Sequence, residues 1–410
     1  MSSNKNQRKD TKNRKTPTEY VSKDILEDDF VKVFWYLLKA QMLLGTCRVD
    51  ARDRFISAPT KWQKLYTIVL VTTAMTLHFM ASIIYLTTRF PYSELQNIAI
   101  VTMVITAFAY CNFVIYARFV HNDANIKLYI KMQQIDRLMG IQHNKTINNM
   151  LQRINNVTVA ITVSIFSTVS VTIFFGGLLM GVAFIASMWT LLTVVMELTL
   201  CSNLISYFFA RIRFINSILI NFVEGKVPMK KPKYLSGRFK EVFRYVAAHT
   251  RDYRTSQIDV YLKAVLECFH NYQDLYRYPV AIYFIAFMFY TLASVEFVVY
   301  GLKRNVVNQA DLTLAPSVLG PALLLILVLI IRIEYFNREI KETKRLSVIV
   351  MSLYFEGPLR AKAKRMCRMI EESPPIFSVY DMWHVNAVFL VRFFNVVSTL
   401  VVTLLQFAIL

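Results

Sequence analysis

Apolar and polar positions fall along this chain in long blocks. Seven predominantly apolar stretches occupy about 65–86, 95–119, 157–178, 187–210, 278–301, 315–332 and 386–408. Crossing about 30 Å of hydrocarbon takes roughly 20 residues of helix, and each stretch is close to or beyond that length. Between the third and fourth, "FGGLLMGVAFIA" leaves room only for a tight turn, expected at Gly176, Gly177 and Gly181. In the polar blocks the period changes. Ile258, Leu262, Val265, Leu266 and Phe269 recur at the spacing of an amphipathic helix. Residues 28–46 predict an interfacial helix with Trp35 and Tyr36 at headgroup level. After the sixth stretch, "KETKRLSVIVMSLYFEG" and "RAKAKRMCRMI" predict two more helices, broken at Gly357-Pro358. Spans four, five and six are expected to run on past the membrane and to pack with the helix before span seven into a compact helical domain.

Composition agrees with this pattern. At 55% hydrophobic and a mean hydropathy of +0.39, the chain carries more apolar residues than a soluble core needs. The fold class it predicts is an all-α membrane protein with seven transmembrane helices. The first thirty residues are charged and have no apolar central run, so no cleavable leader is expected.

Lys and Arg resist translocation and collect in cytosolic loops. Residues 1–64, 118–156, 211–277 and 332–385 hold 43 of the 47. The intervening loops hold Arg89, Lys303 and Arg304, and Arg392 lies in the last span. The N-terminus is therefore expected inside and the C-terminus outside. The expected organisation is a cytosolic N-terminal region at 1–64 with its interfacial helix, and six spans with cytosolic helical extensions at 65–332. Cytosolic anchor helices at 333–385 and a seventh span at 386–410 complete it. The net charge of +20 then belongs to loops beside anionic lipid, and nucleic acid is not an expected partner. The sequons at Asn144 and Asn156 fall in a loop predicted to be cytosolic, out of reach of glycosylation. Cys47, Cys111, Cys201, Cys268 and Cys367 all lie in cytosolic segments or spans and imply no disulfide framework.

Catalysis has no visible basis. The six histidines are scattered, and there is no phosphate-binding glycine loop, metal-spaced Cys/His cluster or paired nucleophile and base, so no cofactor or metal is expected. The tail carries more chemistry. In "NVVSTLVVTLLQFAIL", Asn395, Thr399, Thr403 and Gln406 fall within about 80° of one another on a helix. Such a stripe is either glue between helices or the wall of a water-filled path. Charged groups inside spans are also informative. Glu197, about ten residues below the expected start of its span, shares a face with Thr190, Thr193 and Cys201 and so points inward. It faces either a hydroxyl or His78 in a structural pair, or a ligand. Glu296 near the outer end of span five faces a pocket, a vestibule or solvent. Tyr110, Trp189, Tyr283 and Tyr290 offer aromatic walls with a polar handle, suited to a small apolar ligand and equally to plain packing.

The tail "TLVVTLLQF" resembles the C-terminal signature of insect gustatory receptors: Thr-Tyr, five mainly apolar residues, then Gln-Phe. Thr399, the run 401–405, Gln406 and Phe407 match in register, with Leu400 where the tyrosine stands. "PIFSVYDMWHVNAVFLVRFFN" is similar to the stretch leading into the family's last span, Phe377 and Trp383 among the matching positions. The resemblance implies a ligand-gated cation channel of the plasma membrane, assembled as a homotetramer or as a mixed tetramer with related receptors. It also implies that span seven lines the pore and that Gln406 and Phe407 form its outer constriction, with Thr403, Thr399 and Asn395 below them. A small-molecule tastant, membrane lipid and permeating cations are the implied partners. Leu400 departs from sugar-sensing members, and "YDMWHVNA" resembles bitter-type, lepidopteran-like tails, which points to plant secondary compounds. A sugar receptor of the same family, or a seven-helix receptor signalling through G proteins, is the alternative. The ligand pocket is expected in the outer half of spans two to six, framed by Trp189, Tyr290 and Glu296, with Glu197, Thr193 and Tyr110 as further ligand-facing candidates.

Overall fold

The computed structural model describes residues 25–51, 55–89, 93–141, 144–174, 178–224, 257–303 and 309–409. Among them the helices are α1 (Asp28–Leu43), α2 (Lys61–Arg89), α3 (Ser93–Phe119), α4 (Asn122–Met139) and α5 (Lys145–Phe174). They continue with α6 (Leu178–Glu224), α7 (Ile258–Lys303), α8 (Gln309–Leu353), α9 (Pro358–Glu372) and α10 (Ala387–Ile409). A two-stranded hairpin, β1 (Ser378–Val379) and β2 (Trp383–His384), joins α9 to α10. Three stretches of helix, Met188–Glu224, Ile258–Glu296 and Leu319–Leu353, are each long and apolar enough to cross a membrane. A fourth candidate is α3 with α4, which bend through 68° at their junction.

At 47 residues, α6 measures about 70 Å, more than twice the hydrocarbon thickness. It is the hub, packing on α1, α2, α3, α5, α7 and α8. Leu204, Ile205, Phe208, Ile212, Phe214 and Ile215 are all wholly buried, so this helix is apolar nearly all round. Its buried arginines are paired. Arg211 makes a two-pronged contact with Asp136 of α4, at 2.9 and 2.7 Å, and Tyr207 donates to the same carboxylate at 2.9 Å. Arg213 donates to Glu339 of α8 at 2.8 Å, and Asn216 donates to the other carboxylate oxygen at 2.8 Å.

The helix α1 packs Phe30, Val33, Phe34, Leu37 and Leu38 against α5 and α6, and leaves Trp35 and Tyr36 exposed with Lys39 4.4 Å over the Trp35 ring. A capping box opens α2: Gln63 N–H donates to Thr60 Oγ1, and Thr60 N–H to Gln63 Oε1. Along α2, Trp62, Leu65, Ile68, Val69, Met80 and Ile83 all point outward. Exposed apolar side chains also line α3, α5, α7 and α8. An outer surface this apolar needs lipid rather than water around it.

Several expectations change. Gly181 lies inside α6, not in a turn, and Gly176 and Gly177 fall outside the described residues. Ile258, Leu262, Val265, Leu266 and Phe269 are all buried as an amphipathic face, and their helix continues unbroken into the fifth apolar stretch. The region 333–385 is not helical throughout, because the hairpin occupies 378–384. There Tyr380 and Asp381 take positive φ, 50° and 56°, and Met382 N–H closes on the Val379 carbonyl at 3.0 Å, a turn of mirror-image type. Ser378 Oγ accepts from Asp381 N–H at 3.1 Å and holds it closed. The five cysteines are free, and burial raises the Cys47 thiol to about 11, which keeps it neutral and unreactive.

Asp136→Ala should strand Arg211 in the interior and cost about 3–5 kcal/mol, read as a lower melting temperature of the purified protein in detergent. Replacing the pair together, Asp136→Leu with Arg211→Met, should recover most of that loss. A double variant no more stable than the single one would show that the pair itself, not the unpaired charge, sets stability.

Candidate functional site

Opposite faces of α10 have opposite fates. Phe389, Leu390, Phe393 and Val397 turn toward α7, where Phe284 meets Phe389 and Phe393 edge-on at 5.0 and 5.4 Å. Trp383 of β2 stacks flat on Phe389, 5.9 Å away and 9° from parallel. The opposite face carries Asn395, Thr399, Thr403 and Gln406, all exposed. On a 100° wheel the stripe is centred about 140° from the packed face. Thr399 Oγ1 donates to the Asn395 carbonyl at 2.8 Å and Thr403 Oγ1 to the Thr399 carbonyl at 2.9 Å. Each hydroxyl thus spends its proton on the helix and turns its oxygen lone pairs outward. The stripe does not glue α10 to its own chain. Leu400 is exposed and Val401 half-buried. Phe407 lies in the helix, but its side chain is outside the described residues.

The ligand-facing candidates divide into two levels. Trp189 is half-buried on α6, and Thr193 below it donates to its carbonyl at 2.9 Å. Tyr290 of α7 packs half-buried on the small apolar cluster that Met188 and Val195 of α6 form with Phe166 of α5, as do Leu191 and Leu192 of α6. Trp189 and Thr193 thus stand one turn apart on α6, and Tyr290 meets the same stretch of that helix on the neighbouring face, that of Met188 and Val195. Glu296, six residues further along α7, is exposed. Tyr110 is fully buried on α3, and Tyr283 donates to the Ala322 carbonyl of α8 at 3.2 Å. Arg392 is exposed on α10.

Glu197 belongs to the other level. It points inward as its face predicts, but its partner is neither a hydroxyl nor His78. Arg48, from the segment between α1 and α2, donates to Oε2 through Nε and Nη2 at 3.2 and 2.9 Å, and Gln41 of α1 donates to Oε1 at 2.8 Å. The side chains of the ion pair are 1% and 0% exposed. Because α6 starts at Leu178, Glu197 lies nineteen residues in, about 28 Å from that end, not ten. It sits where the polar segment before α2 reaches the bundle, while His78 lies seventeen residues up α2. The Arg48 guanidinium also lies 4.6 Å from the Tyr276 ring centre and 5.6 Å from that of Tyr116. Burial works against its charge, but Tyr276 and Glu197 outweigh burial and raise its pKa. Nothing in "CRVDARDRF" marks Arg48 among its charged neighbours, so sequence alone missed this cluster. The hairpin was missed as well, although "FSVYDMWHV" alternates around an Asp turn, a signal that could have shown it.

No family model and no curated protein matches this sequence. Seventeen chains of solved structures do match. One is the insect olfactory receptor OR5 from Machilis hrabei, solved in complex with eugenol. It aligns with a TM-score of 0.57 at 11% identity, covering 92% of this chain and 100% of that one. At that identity the likeness is one of fold.

With Glu197 locking Arg48 in place, Glu197→Ala should lower the melting temperature through a loss of about 3–5 kcal/mol, and Glu197→Gln, which keeps some hydrogen bonds, should lose less. Equal stability in wild type and Glu197→Ala, by thermal unfolding in detergent, would leave this carboxylate without a structural role.

Proposed function

We propose that this chain is a subunit of a ligand-gated, non-selective cation channel of the plasma membrane, serving as a gustatory receptor for plant secondary compounds. The observation that carries the reading is the polar stripe of α10, turned away from the face that packs on α7 over about three helical turns. A lone subunit has no use for such a face in lipid. Around a four-fold axis, Asn395, Thr399, Thr403 and Gln406 from each copy would line a path of hydroxyl and amide oxygens for hydrated cations, with Phe407 as the apolar ring that closes it. The shared fold with an insect olfactory receptor supports a chemoreceptor, and the tail resemblance favours the gustatory branch. That receptor's complex with eugenol supports a small-molecule ligand here. We place it beside Trp189, Thr193 and Tyr290, toward Glu296. Glu197, committed to Arg48, is assigned to structure, and Tyr110 to packing. Subunits would meet through the outward faces of α7 around 258–275 and of α8 and α9 around 344–370, as a homotetramer or with related chains.

The proposed topology places the N-terminus and the 118–156 segment in the cytosol. Cells expressing the chain should attach no glycan at Asn144 or Asn156, and glycosylation at either, seen as a mobility shift removed by deglycosylation, would overturn it.

The channel reading is tested by recording currents from the chain expressed alone, in excised patches, across a panel of bitter compounds and sugars. A bitter compound should evoke a cation current. Phe407→Ala should raise current without ligand, because wetting a ring without the phenyl groups costs less. Gln406→Ala should change ion selectivity as well as gating, and Val401→Ile, on the half-buried face, should change neither. Unaltered currents in both the Phe407 and Gln406 variants at normal surface expression would return the stripe to the role of helix glue.

A further inference from the structure

The sequence of α10 holds no Asp, Glu, Lys or His, and its single charged residue is Arg392. Counted from Asn395 on a 100° wheel, Arg392 falls at about 60°, inside the arc of about 0–80° that Asn395, Thr399, Thr403 and Gln406 span. Exposed Val391 and Val402 border that arc on one side and exposed Val396 on the other. The guanidinium therefore belongs to the polar stripe and extends it by one turn. Val388, a turn earlier on the same face, is apolar, so Arg392 ends the stripe. Arg392 is exposed, and no carboxylate pairs with it among the described residues.

Its depth follows from the sequence. The last apolar stretch begins at 386, which places Arg392 about 9 Å inside that edge, and Gln406 lies about 21 Å further along the helix. An arginine within a span is costly against lipid and faces the bundle interior or a water-filled cavity. On α10 the interior face is taken by Phe389, Phe393 and Val397, which leaves the water-filled side. We infer that Arg392, repeated around the four-fold axis, forms a ring of positive charge at the cytosolic mouth of the path and makes the channel pass cations inward more readily than outward. The inference rests on the channel reading and the topology proposed above. The rest of the stripe offers only hydroxyl and amide dipoles, so the one full charge governs the field at its end. Cations leaving the cytosol must first enter this field, which lowers their concentration at the mouth. Cations arriving from outside are drawn from the far end, beyond the ~8 Å over which physiological salt screens a charge. Because the energy scales with ionic charge, a divalent cation is held back by the square of the factor that applies to sodium.

The full chain is to be recorded in inside-out patches with sodium on both faces and the bitter compounds in the pipette. Wild type should pass less outward than inward current at equal and opposite voltages. Arg392→Gln should raise the outward sodium current about twofold, the order expected of exposed charges in screened water, and the outward current carried by calcium in the bath about fourfold. Arg392→Lys keeps the charge and should match wild type. Salt at about 1 M on both faces should shrink the difference between wild type and Arg392→Gln, since a charge then acts over only about 3 Å. Surface expression of each variant checks folding. A wild-type current that Arg392→Gln leaves unchanged with both ions would overturn this inference alone, and would make Arg392 a side chain reaching to the lipid headgroups. A change shared equally by Arg392→Lys would also overturn it, because charge would not be the cause. No wild-type current with any compound, at normal surface expression, would overturn the channel reading and this inference with it.

Discussion

Three guanidinium–carboxylate pairs buried along α6, Arg48 with Glu197, Asp136 with Arg211 and Glu339 with Arg213, constrain everything packed on that helix. Each ion has left water, a cost of several kcal/mol that is offset only if its partner arrives in good geometry. The partners come from three different places: the segment before α2, the last turn of α4 and the extension of α8. None can slip a turn along α6 without leaving two charges stranded in an apolar interior. Leucines and phenylalanines alone would let these helices slide past one another at little cost, because apolar contact is not directional. The charges fix the register that the apolar faces leave free.

The seventh apolar helix is held by different means. Aromatic contacts fasten α10 to α7 through Phe389 and Phe393, and the flat stack of Trp383 sets where the helix begins. No ion pair joins it to the hub among the described residues. Its attachment is through apolar and aromatic contact, and among the described residues its polar face is exposed. Both conditions suit the gate-lining role proposed for it, since such a helix must move relative to its neighbours and must keep polar groups free for what passes.

What could be read in the sequence follows from the same physics. Periodicity reports how apolar area is distributed, and so the apolar stretches fall in helices, α1 forms with Trp35 exposed, and Ile258 to Phe269 make a buried face, as periodicity places them. It also showed that Glu197 points inward. It could not supply the partner, because pairing is a property of three-dimensional proximity: Arg48 is 149 positions away and looks like any basic residue of a polar loop. Depth was misjudged for a related reason. The glycines of 176–181 looked like a turn wide enough to delay α6, yet the helix begins at Leu178 and carries Glu197 nine residues deeper than expected.

That change of depth separates two tasks. Trp189, Thr193 and Tyr290 lie toward the outer half of α6 and α7, and Glu197 lies about 12 Å below Trp189, at the level of the cytosolic segments in the proposed topology. From this lower level a continuous set of contacts leads to the last helix. Tyr272 of α7 donates to the Cys201 carbonyl one turn below Glu197, at 2.9 Å, and its ring meets Phe377 at 5.8 Å. Gln273 reaches the Ser378 carbonyl at 3.3 Å, and Arg277 covers Tyr380. The hairpin and the residue before it are thus held to α7 at three points, and its second strand carries the Trp383 that seats α10. Any displacement of α7 against the pinned hub must therefore be carried to the base of α10 through a short, hydrogen-bonded hairpin rather than lost in a loop.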